Sequence, residues 1–498
     1  MNPKLIEIAK RRGIFWQAFE IYGGVSGFMD FGPIGVKILK KIENEWRKIF
    51  QEPHDFIFEI STPIVMPEAV LKASGHVDHF TDIILSCSKC GRKYRVDSII
   101  EEEGVEGWEI EKIDSYIKNK GIKCPECNGV FEKPYKFNLL MKTNIGPYSA
   151  DIGYLRPEAA QGIFINFRRM YEYNGKKLPF GVFQVGKVQR NEISPRKGLH
   201  RLREFTIIDL EFFFDKENPS CEYLNNLKAE KLRIQRAKSK EIVEIPIADL
   251  INEGVILNEW MAYFMYLSRE FLKNLGIDYS RQYFMEKAPE ERAHYSSQTF
   301  DQMIIMSDNT HIEVAGFAFR TDYDLRNHSE KSGAQLYAER IENGKVKEKF
   351  YPFVVEPSFG LERLLLVTLD AAYSEKNKRI ILKLPKKIAP FDVVVAPLTK
   401  KENLIELSKE VYLKLKRDNL DALLDTTEYI GKIYAKADEI GVPYVITIDY
   451  QSLEDRSVTI RDRDAWKQIR VNIEDLSRKI KALLNDEIKF EEAGLLIK

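Results

Sequence analysis

The chain has 498 residues, enough for roughly three domains that each bury a core. Hydrophobic residues make up 44% of it and charged residues 31%, a balance that indicates a globular protein without a membrane span. Lysine plus arginine and aspartate plus glutamate number 76 each, so the net charge is zero and excludes a global basic field. A nucleic-acid partner must therefore be held by local basic patches.

The start of the chain lacks the apolar core of a signal peptide. Four of the five cysteines form two CxxC pairs, which suit a reducing compartment better than a disulfide scaffold. We therefore expect a cytoplasmic protein.

The first 50 residues predict a short basic helix, a glycine-rich turn segment and a helix from Val36 to Phe50. Ile38, Ile42 and Trp46 recur on that helix at helical spacing. Such a stripe is usual for a core face or for a dimer face, and the sequence does not separate the two. The glycines of IYGGVSGFMDFGPIG match neither a P-loop nor a dinucleotide fingerprint.

The two CxxC pairs are Cys87–Cys90 and Cys124–Cys127. Two CxxC turns can complete a tetrahedral zinc site with four thiolates, and such a closed site is structural. The segment between the pairs is longer than the roughly 15–20 residues of a usual ribbon, and an acidic excursion explains that length. Four free structural thiols are the alternative. Cys221 stands alone and is interpreted as a buried or incidental thiol.

Residues 154–169, YLRPEAAQGIFINFRR, predict a turn followed by an amphipathic helix. Pro157 and Glu158 lie at its start, where a carboxylate favours the helix N-terminus. Capping is therefore an alternative to any role of Glu158 in a site.

Residues 179–214 predict two strands joined by a polar loop. Side chains alternate along a strand, so Arg190 and Glu192 share one face. On the second strand one face carries Arg201, Arg203, Phe205, Asp209 and Glu211. Charges on a sheet face are often simply solvated. The apolar flanks indicate instead a central hairpin whose charges line a cleft.

Residues 221–278 are predicted to be mostly helical, and residues 298–324 to form a strand pair. A short strand then ends at Glu356 and runs into a helix, with Ser358 and Gly360 at the helix entry. Arg363 falls in the first helical turn, where a positive charge opposes the helix dipole. Phosphate binding would give this arginine a function.

A linker, LKLPKKIAPF, precedes a change in the pattern of predicted strands and helices at about residue 388. The order strand, helix, helix, strand, strand, helix predicts a compact α/β domain of about 100 residues with a largely parallel sheet.

Three stretches, FGPIGVKILKKIENEW, FQVGKVQRNEISPRKGLHRLREF and VVEPSFGLERLLL, resemble in order the three motifs of class II aminoacyl-tRNA synthetases (about 31–50, 179–214 and 353–369). RPEAAQGIFINFRR and RNEISPR…REFT resemble more specifically the glycyl-tRNA synthetases of the dimeric archaeal and eukaryotic-like type. SGHVDHF and the C-terminal region extend this resemblance over nearly the whole chain. The first-class signatures HIGH and KMSKS are absent.

The resemblance implies an α/β (α+β) fold, with a mixed, mainly antiparallel β-sheet flanked by helices. It implies a catalytic domain in residues 1–85 and 130–385, a zinc-ribbon-like insertion in 86–129, a mostly helical insertion in 221–297, and an anticodon-binding domain in 388–498. The implied activity is ATP-dependent conversion of glycine to glycyl-adenylate, followed by transfer to tRNA(Gly). Mg²⁺ and a homodimer are implied as well.

Site residues follow from the same resemblance. Arg190 would bridge the substrate carboxylate and the α-phosphate, Arg363 would hold the γ-phosphate, and Glu313 would reach Mg²⁺. Glu192 would accept from the adenine amino group, and Phe205 would stack on the ring. The remaining positions expected around ATP are Asn191, His200, Arg201, Leu202, Arg203, Glu204, Val314, Gly360, Leu361 and Glu362.

Glycine offers no side chain to bind, and one methylene is worth only about 1–3 kcal/mol, so larger amino acids must be excluded by shape. Asp209 stands where the family commonly has glutamate, which puts its reach to the ammonium in question. Glu211, on the same face, could compensate. The other positions expected around glycine are Arg95, Glu158, Phe205, Thr206, Glu356, Pro357, Ser358 and Gly360.

Overall fold

The computed structural model describes residues 2–102, 104–147, 151–193, 195, 198–237, 239–342, 345–377 and 379–497. Ser194, Arg196 and Lys197 of the expected hairpin loop lie outside these residues. Within the described chain, no helix combines the length and the apolar character that crossing a membrane requires.

Short elements precede the CxxC pairs. In chain order they are α1 (Pro3–Arg11), β1 (Phe15–Gln17), β2 (Met29–Phe31), α2 (Pro33–Phe50), β3 (Ile57–Glu59), β4 (Val65–Pro67), α3 (Glu68–Ala73) and α4 (His76–His79). Helix α2 begins at Pro33, before the predicted Val36, because proline fits the first turn of a helix. Its apolar stripe is core: Trp46 is fully buried and stacks on Phe50, with ring centroids 4.8 Å apart.

The CxxC pairs belong to a small unit with its own apolar cluster. A three-stranded antiparallel sheet in the order β6–β5–β7 and one helix build it. The elements from here to the hairpin are β5 (Thr81–Ser86), β6 (Lys93–Arg95), α5 (Ile110–Lys120), β7 (Tyr135–Asn138), β8 (Met141–Asn144), β9 (Ile152–Leu155), α6 (Ala160–Phe164) and α7 (Phe167–Tyr173).

A nine-stranded sheet forms the centre of the molecule. The elements that follow in this part of the chain are β10 (Phe180–Gln189), β11 (Glu204–Phe214), β12 (Lys231–Gln235), β13 (Ile242–Pro246), α8 (Ile247–Asn252), α9 (Glu259–Asn274), β14 (Gln282–Glu286), β15 (Gln298–Ile305), β16 (His311–Thr321), α10 (Tyr323–Ser332), β17 (Ala338–Glu342), β18 (Lys345–Phe350), β19 (Phe353–Gly360), α11 (Leu361–Ala372), β20 (Tyr373–Lys376) and β21 (Arg379–Leu382). The pairs β17–β18 and β20–β21 form separate two-stranded sheets. The strand order of the nine-stranded sheet is β13–β12–β14–β15–β16–β19–β11–β10–β3. Only the β12–β14 and β10–β3 pairings within this sheet are parallel, so the expected mainly antiparallel sheet is confirmed.

Residues 221–297 differ from the mostly helical expectation. The apolar stripe is helical, as α9, but β12, β13 and β14 extend the central sheet instead. These strands are five residues long, too short to show a clear period. Successive pairings fix them in the sheet: β14 pairs with β15, β12 with β14, and β13 with β12.

The C-terminal residues form a six-stranded sheet with helices packed against it. Its elements are β22 (Val393–Pro397), α12 (Glu402–Arg417), β23 (Ala422–Leu424), α13 (Ile430–Ile440), β24 (Tyr444–Ile448), α14 (Tyr450–Asp455), β25 (Ser457–Asp462), β26 (Gln468–Asn472), α15 (Leu476–Leu484) and β27 (Leu495–Ile497). In the order β23–β22–β24–β25–β26–β27 only the first two pairings are parallel, so the expected largely parallel sheet is wrong. The expectation missed β26, which follows β25 after a short turn and must therefore run antiparallel to it.

Candidate active site

The predicted hairpin forms the centre of the site. Strand β11 pairs with β10 on one side and with β19 on the other, and Asp209 lies opposite Ser358 in the second pairing. A cavity of about 220 Å³ opens above β11, β16 and β19. The sequence-predicted residues that line it are Glu158, Arg190, Glu192, His200, Arg201, Leu202, Phe205, Asp209, Glu313, Val314, Glu356, Ser358, Gly360, Glu362 and Arg363.

Two arginines give the cavity a cationic side. Arg190 donates through Nε to the carbonyl oxygen of Pro157 at 3.1 Å, and its guanidinium lies 5.3 Å from the Phe205 ring centroid. Arg363 donates through Nε to the carbonyl oxygen of His200 at 3.0 Å. Each guanidinium is thus anchored to backbone, which fixes its orientation before any anion enters.

Glu313 lies beside Arg363, with Oε2 3.2 Å from Nη1. Burial alone would raise the pKa of Glu313, but the Arg363 and Lys287 cations outweigh it and hold that pKa below its usual value. The carboxylate is therefore ionised and available to a cation on this side of the cavity.

Glu192 marks another part of the wall. Its side chain is buried, and Oε2 has no hydrogen-bond partner among the described residues. Arg201 approaches only to 3.8 Å, through Nε. A buried carboxylate oxygen without a donor is costly, so this atom is placed to accept from a ligand.

Carboxylates converge at the other end of the cavity on one arginine, Arg320, which sequence reasoning missed. Arg320 is fully buried and donates to Glu356 at 2.9 Å, to Glu158 at 3.3 Å and to Asp324 at 2.8 Å. Its guanidinium also lies 3.7 Å from the Tyr295 ring centroid. The sequence did offer one indication of a buried functional arginine: Arg320 directly follows the apolar run AGFAF.

Glu158 does not cap the following helix. Helix α6 starts at Ala160 and has no side-chain cap, whereas Glu158 accepts from Gln161 at 2.8 Å and lies 3.4 Å from His76 Nε2. Burial would raise the pKa of Glu158, but His76 and Arg320 hold it well below its usual value. Glu158 therefore contributes a fixed negative charge to the cavity.

Glu356 behaves differently. Burial, together with the neighbouring charges of Glu158 and Asp209, raises the pKa of Glu356 to about 8 despite the contact with Arg320. This end of the cavity thus holds more carboxylates than its buried arginine can neutralise, and one of them keeps its proton at neutral pH.

Asp209 and Glu211 occupy different environments. Asp209 lines the cavity, where Oδ1 accepts from Ser358 Oγ at 2.5 Å and Oδ2 accepts from the Ala159 amide at 2.7 Å. Glu211 is fully buried, does not line that cavity, and neither of its oxygens has a hydrogen-bond partner among the described residues. Burial and the charge of Glu356 raise the pKa of Glu211 well above its usual range. Glu211 therefore lies behind the wall, where its charged form is disfavoured, and is not a second cavity carboxylate.

Thr206 and Arg203 do not line this cavity but are hydrogen-bonded to residues that do. Glu362 accepts from the backbone amide of Thr206 at 2.8 Å and from its hydroxyl at 2.9 Å. Arg203 donates to the carbonyl oxygens of Glu192 and Ser26, both at 3.0 Å.

The remaining predicted residues lie outside the cavity. Leu361 is in the apolar core, Pro357 pairs with Phe317 inside the sheet, and Glu204 lies near Lys187. Arg95 sits on β6, where it pairs with Asp82 at 3.2 Å and Asp97 at 3.0 Å. Asn191 faces a neighbouring cavity.

The four cysteines of the CxxC pairs come together. The Sγ atoms of Cys87, Cys90, Cys124 and Cys127 all lie within 4.8 Å of one another. A Cβ on Gly129 would lie 2.7 Å from Lys89 Cβ, 2.8 Å from Cys87 Sγ and 3.2 Å from Cys127 Sγ, so a larger residue here would crowd the cysteine cluster. Four thiolates in a closed cluster fit tetrahedral zinc. Cys221 is buried elsewhere, in the main core.

Known families match two parts of the chain. The family described as "tRNA synthetase class II core domain (G, H, P, S and T)" matches residues 149–372, and the one described as "Anticodon binding domain" matches residues 392–483.

Full-length relatives match as well. The glycine–tRNA ligase of Aeropyrum pernix is 40% identical over 99% of this chain and 99% of that protein. The same enzyme of Pyrococcus horikoshii is 39% identical over 96% of this chain and 98% of its own. That of Methanocaldococcus jannaschii is 36% identical over 97% and 99% respectively.

Proposed function

Because the chain belongs to the family of glycine–tRNA ligases, we propose that its cavity binds ATP and glycine side by side and joins them as glycyl-adenylate. The observation that carries this proposal is the division of one cavity into an arginine side and a buried carboxylate side. Two anions must meet in this reaction, while the ammonium of glycine needs negative charge only a few atoms away. A cavity with both features suits an amino acid being activated at its own carboxylate.

The arginine side is proposed to hold the phosphates. The glycine carboxylate attacks the α-phosphorus, a bond to that oxygen forms, and pyrophosphate leaves with the electrons of the broken P–O bond. Negative charge spreads over the phosphoryl oxygens in this step, so fixed cations are the main catalytic device. Arg190 would bind the α-phosphate and Arg363 the γ-phosphate, since a guanidinium stays charged and binds phosphate bidentately.

The base and the metal ion have candidate partners on the same wall. The adenine amino group would donate to Glu192 Oε2, the buried acceptor that lacks a partner among the described residues. The Phe205 ring would stack on the base. Mg²⁺ fits the ionised Glu313 carboxylate because it prefers oxygen ligands, and it would neutralise charge on the phosphates.

The carboxylate side is proposed to select glycine. The ammonium would pair with Glu158 and Glu356, and Asp209, already bonded to Ser358 and Ala159, would complete the negative wall. Because these side chains are fixed by Arg320 and by hydrogen bonds, an amino acid with a Cβ would have to displace them. Glycine has only a hydrogen atom in place of a side chain, so the protein cannot select it by binding that group. Larger amino acids are excluded by shape instead.

The second step needs no nucleophile on the protein. The 3′-terminal ribose hydroxyl of tRNA(Gly) would attack the adenylate carbonyl carbon and expel AMP. The C-terminal sheet, within which the anticodon-binding family match lies, would position the tRNA. We further propose a homodimer that works in the cytoplasm, on the strength of the full-length similarity to glycine–tRNA ligases.

Zinc is proposed to bind the four cysteines. When bound, zinc would cross-link the two CxxC turns. With four cysteine ligands it would have no coordination position left for a substrate or a water molecule. None of the four cysteines lines the cavity that holds Arg190 and Arg363, which supports a structural role.

Pyrophosphate–ATP exchange tests the proposal. The protein should catalyse exchange with glycine and much less with alanine, and Arg190→Ala should lower exchange by roughly a thousandfold, as loss of one preorganised charge partner does. Arg478→Ala, at an exposed arginine of the C-terminal domain, is the matched control. Exchange driven best by another amino acid would overturn the glycine assignment, and near-normal exchange in Arg190→Ala would overturn the role of Arg190.

A further inference from the structure

The small sheet of the cysteine-bearing unit has two different faces. One face, with Ile83 and Leu85, packs into the unit's own apolar cluster. Neighbouring residues of a strand point to opposite sides, so Ile84 faces away from that cluster. The register places Tyr135 beside Ile84 and Phe137 beside Asp82, which puts both aromatic side chains on the outward face.

That outward face borders the end of the catalytic hairpin. Ile84, Lys93, Tyr135 and Phe137 line one side of a cavity of about 280 Å³, and the hairpin residues that close it include Glu192 and Arg203. Glu192 also lines the main cavity. The two cavities therefore share a wall, and the second one adjoins the end of the site at which Glu192 lies.

The chemistry of this second cavity differs from that of the first. Tyr135 and Phe137 are partly exposed, and Lys93 Nζ lies 5.7 Å from the Tyr135 ring centroid. Arg203 is held in place by the carbonyl oxygens of Glu192 and Ser26. Aromatic faces next to fixed cations are the combination that binds single-stranded nucleic acid, with bases stacked on the rings and phosphates near the cations.

We propose that this cavity binds an unpaired nucleotide near the 3′ end of the tRNA, with its base packed against the rings of both Tyr135 and Phe137. The inference rests on the aminoacylation proposed above, in which the terminal ribose must reach the adenylate. An end held beside Glu192 would lead the terminal nucleotide directly into the main cavity. The cysteine-bearing unit then has a function in catalysis without touching ATP or glycine: it guides the acceptor end.

The test uses the full-length protein and two RNAs, intact tRNA(Gly) and the same tRNA without its unpaired 3′-terminal nucleotides. Tyr135→Ala and Phe137→Ala should each bind intact tRNA roughly tenfold more weakly than wild type, as loss of one base–ring stack does. On the shortened tRNA, both variants should bind as tightly as the wild-type protein binds that same RNA, because the nucleotide that would stack on the rings is missing from it. Glycine-dependent exchange should remain within about twofold of wild type, while charging falls by the same factor as affinity.

Ring-preserving variants and a distant aromatic provide the controls. Tyr135→Phe and Phe137→Tyr should keep tRNA affinity, and Tyr173→Ala, at an exposed ring on α7, should change neither binding nor exchange. An equal loss on intact and shortened tRNA, or no loss on either, would overturn the proposal. Loss of exchange in the alanine variants would also overturn it, since the rings would then support the main cavity. Failure of the wild-type protein to catalyse exchange would count against the proposed function itself, and is measured separately.

Discussion

Replacing Arg320 by methionine tests how the carboxylate end of the cavity is held together. Arg320 is fully buried and donates to three carboxylates, of Glu158, Asp324 and Glu356, at 2.8–3.3 Å. Methionine fills much of the same space but carries no charge. The substitution leaves these buried carboxylates without their shared cation.

The expected cost follows from that burial. Removing one partner of a buried ion pair destabilises a protein by about 3–5 kcal/mol, because the remaining charge cannot be solvated. Part of the cost is relieved when the carboxylates take up protons. Glu356 already keeps its proton at neutral pH in the wild-type protein, so the charge newly lost is that of Glu158. Because a protonated Glu158 attracts an ammonium only weakly, the KM for glycine in the exchange assay should rise by about tenfold or more at neutral pH.

Two measurements separate this effect from general damage. Urea unfolding gives the loss of stability, and the KM for glycine as a function of pH reports the protonation. Because raising the pH ionises the carboxylates again, the rise in KM should shrink as the pH increases. A merely structural defect would not show that recovery.

Arg326→Met is the matched control. Arg326 lies on α10 and pairs with Asp322 at the surface, with half of its side chain exposed, so its loss should cost under about 0.5 kcal/mol. Arg320→Lys, which keeps the charge but not the fork of donors, should fall between wild type and Arg320→Met. A free energy of unfolding for Arg320→Met within about 1 kcal/mol of wild type would refute the reasoning.

Three further predictions concern pH, metal and the C-terminal domain. The pKa of Glu356 is about 8 in the native protein, whereas the unfolded chain loses this proton near pH 4.5. Because the native state binds the extra proton between these two values, the contribution of Glu356 to the free energy of unfolding falls as the pH rises from about 4.5 to about 8. Glycine binding should therefore release a proton and tighten between pH 6 and pH 8, by up to about tenfold per pH unit; calorimetry in two buffers measures the release, and its absence would contradict the role of Glu356. Metal analysis should find about one zinc per chain and Cys124→Ser should lose the metal, whereas Cys221→Ser should keep it; a stable, metal-free wild-type protein would exclude the site. Deletion of the residues after about 391 should spare exchange but reduce tRNA charging by at least about tenfold, because the tRNA loses a positioning surface; undiminished charging would argue against an anticodon-binding domain.

The sequence alone was informative wherever the chemistry depends on residues close together in the chain. The CxxC spacing predicted a cluster that the structure brings within 4.8 Å. Arg190 and Glu192 were predicted on one face of a strand; they lie just beyond the end of β10 at Gln189, yet both line the same cavity as Arg363. The motif order identified the class II core because each motif carries its own strand or helix with its functional side chains attached.

Tertiary structure alone decided which distant charges meet. Arg320 and Glu158 are 162 positions apart, and only the packing of α6 against β10, β11 and α10 brings them into contact. Alternation likewise put Asp209 and Glu211 on one face without showing that the first reaches the cavity and the second is sealed behind it. The same holds for α2, whose stripe proved to be core through Trp46 and Phe50.

The physical reason is that local periodicity fixes the direction of a side chain relative to its own strand or helix, but not what lies opposite. Partners, burial and protonation state depend on sheet register and on the packing of elements far apart in sequence. The sequence therefore identified most of the functional side chains: Arg190, Arg363 and several carboxylates of the cavity, and the four cysteines of the separate cluster. The fold decided that a third arginine, Arg320, would be buried among the carboxylates and that Glu356 would keep its proton.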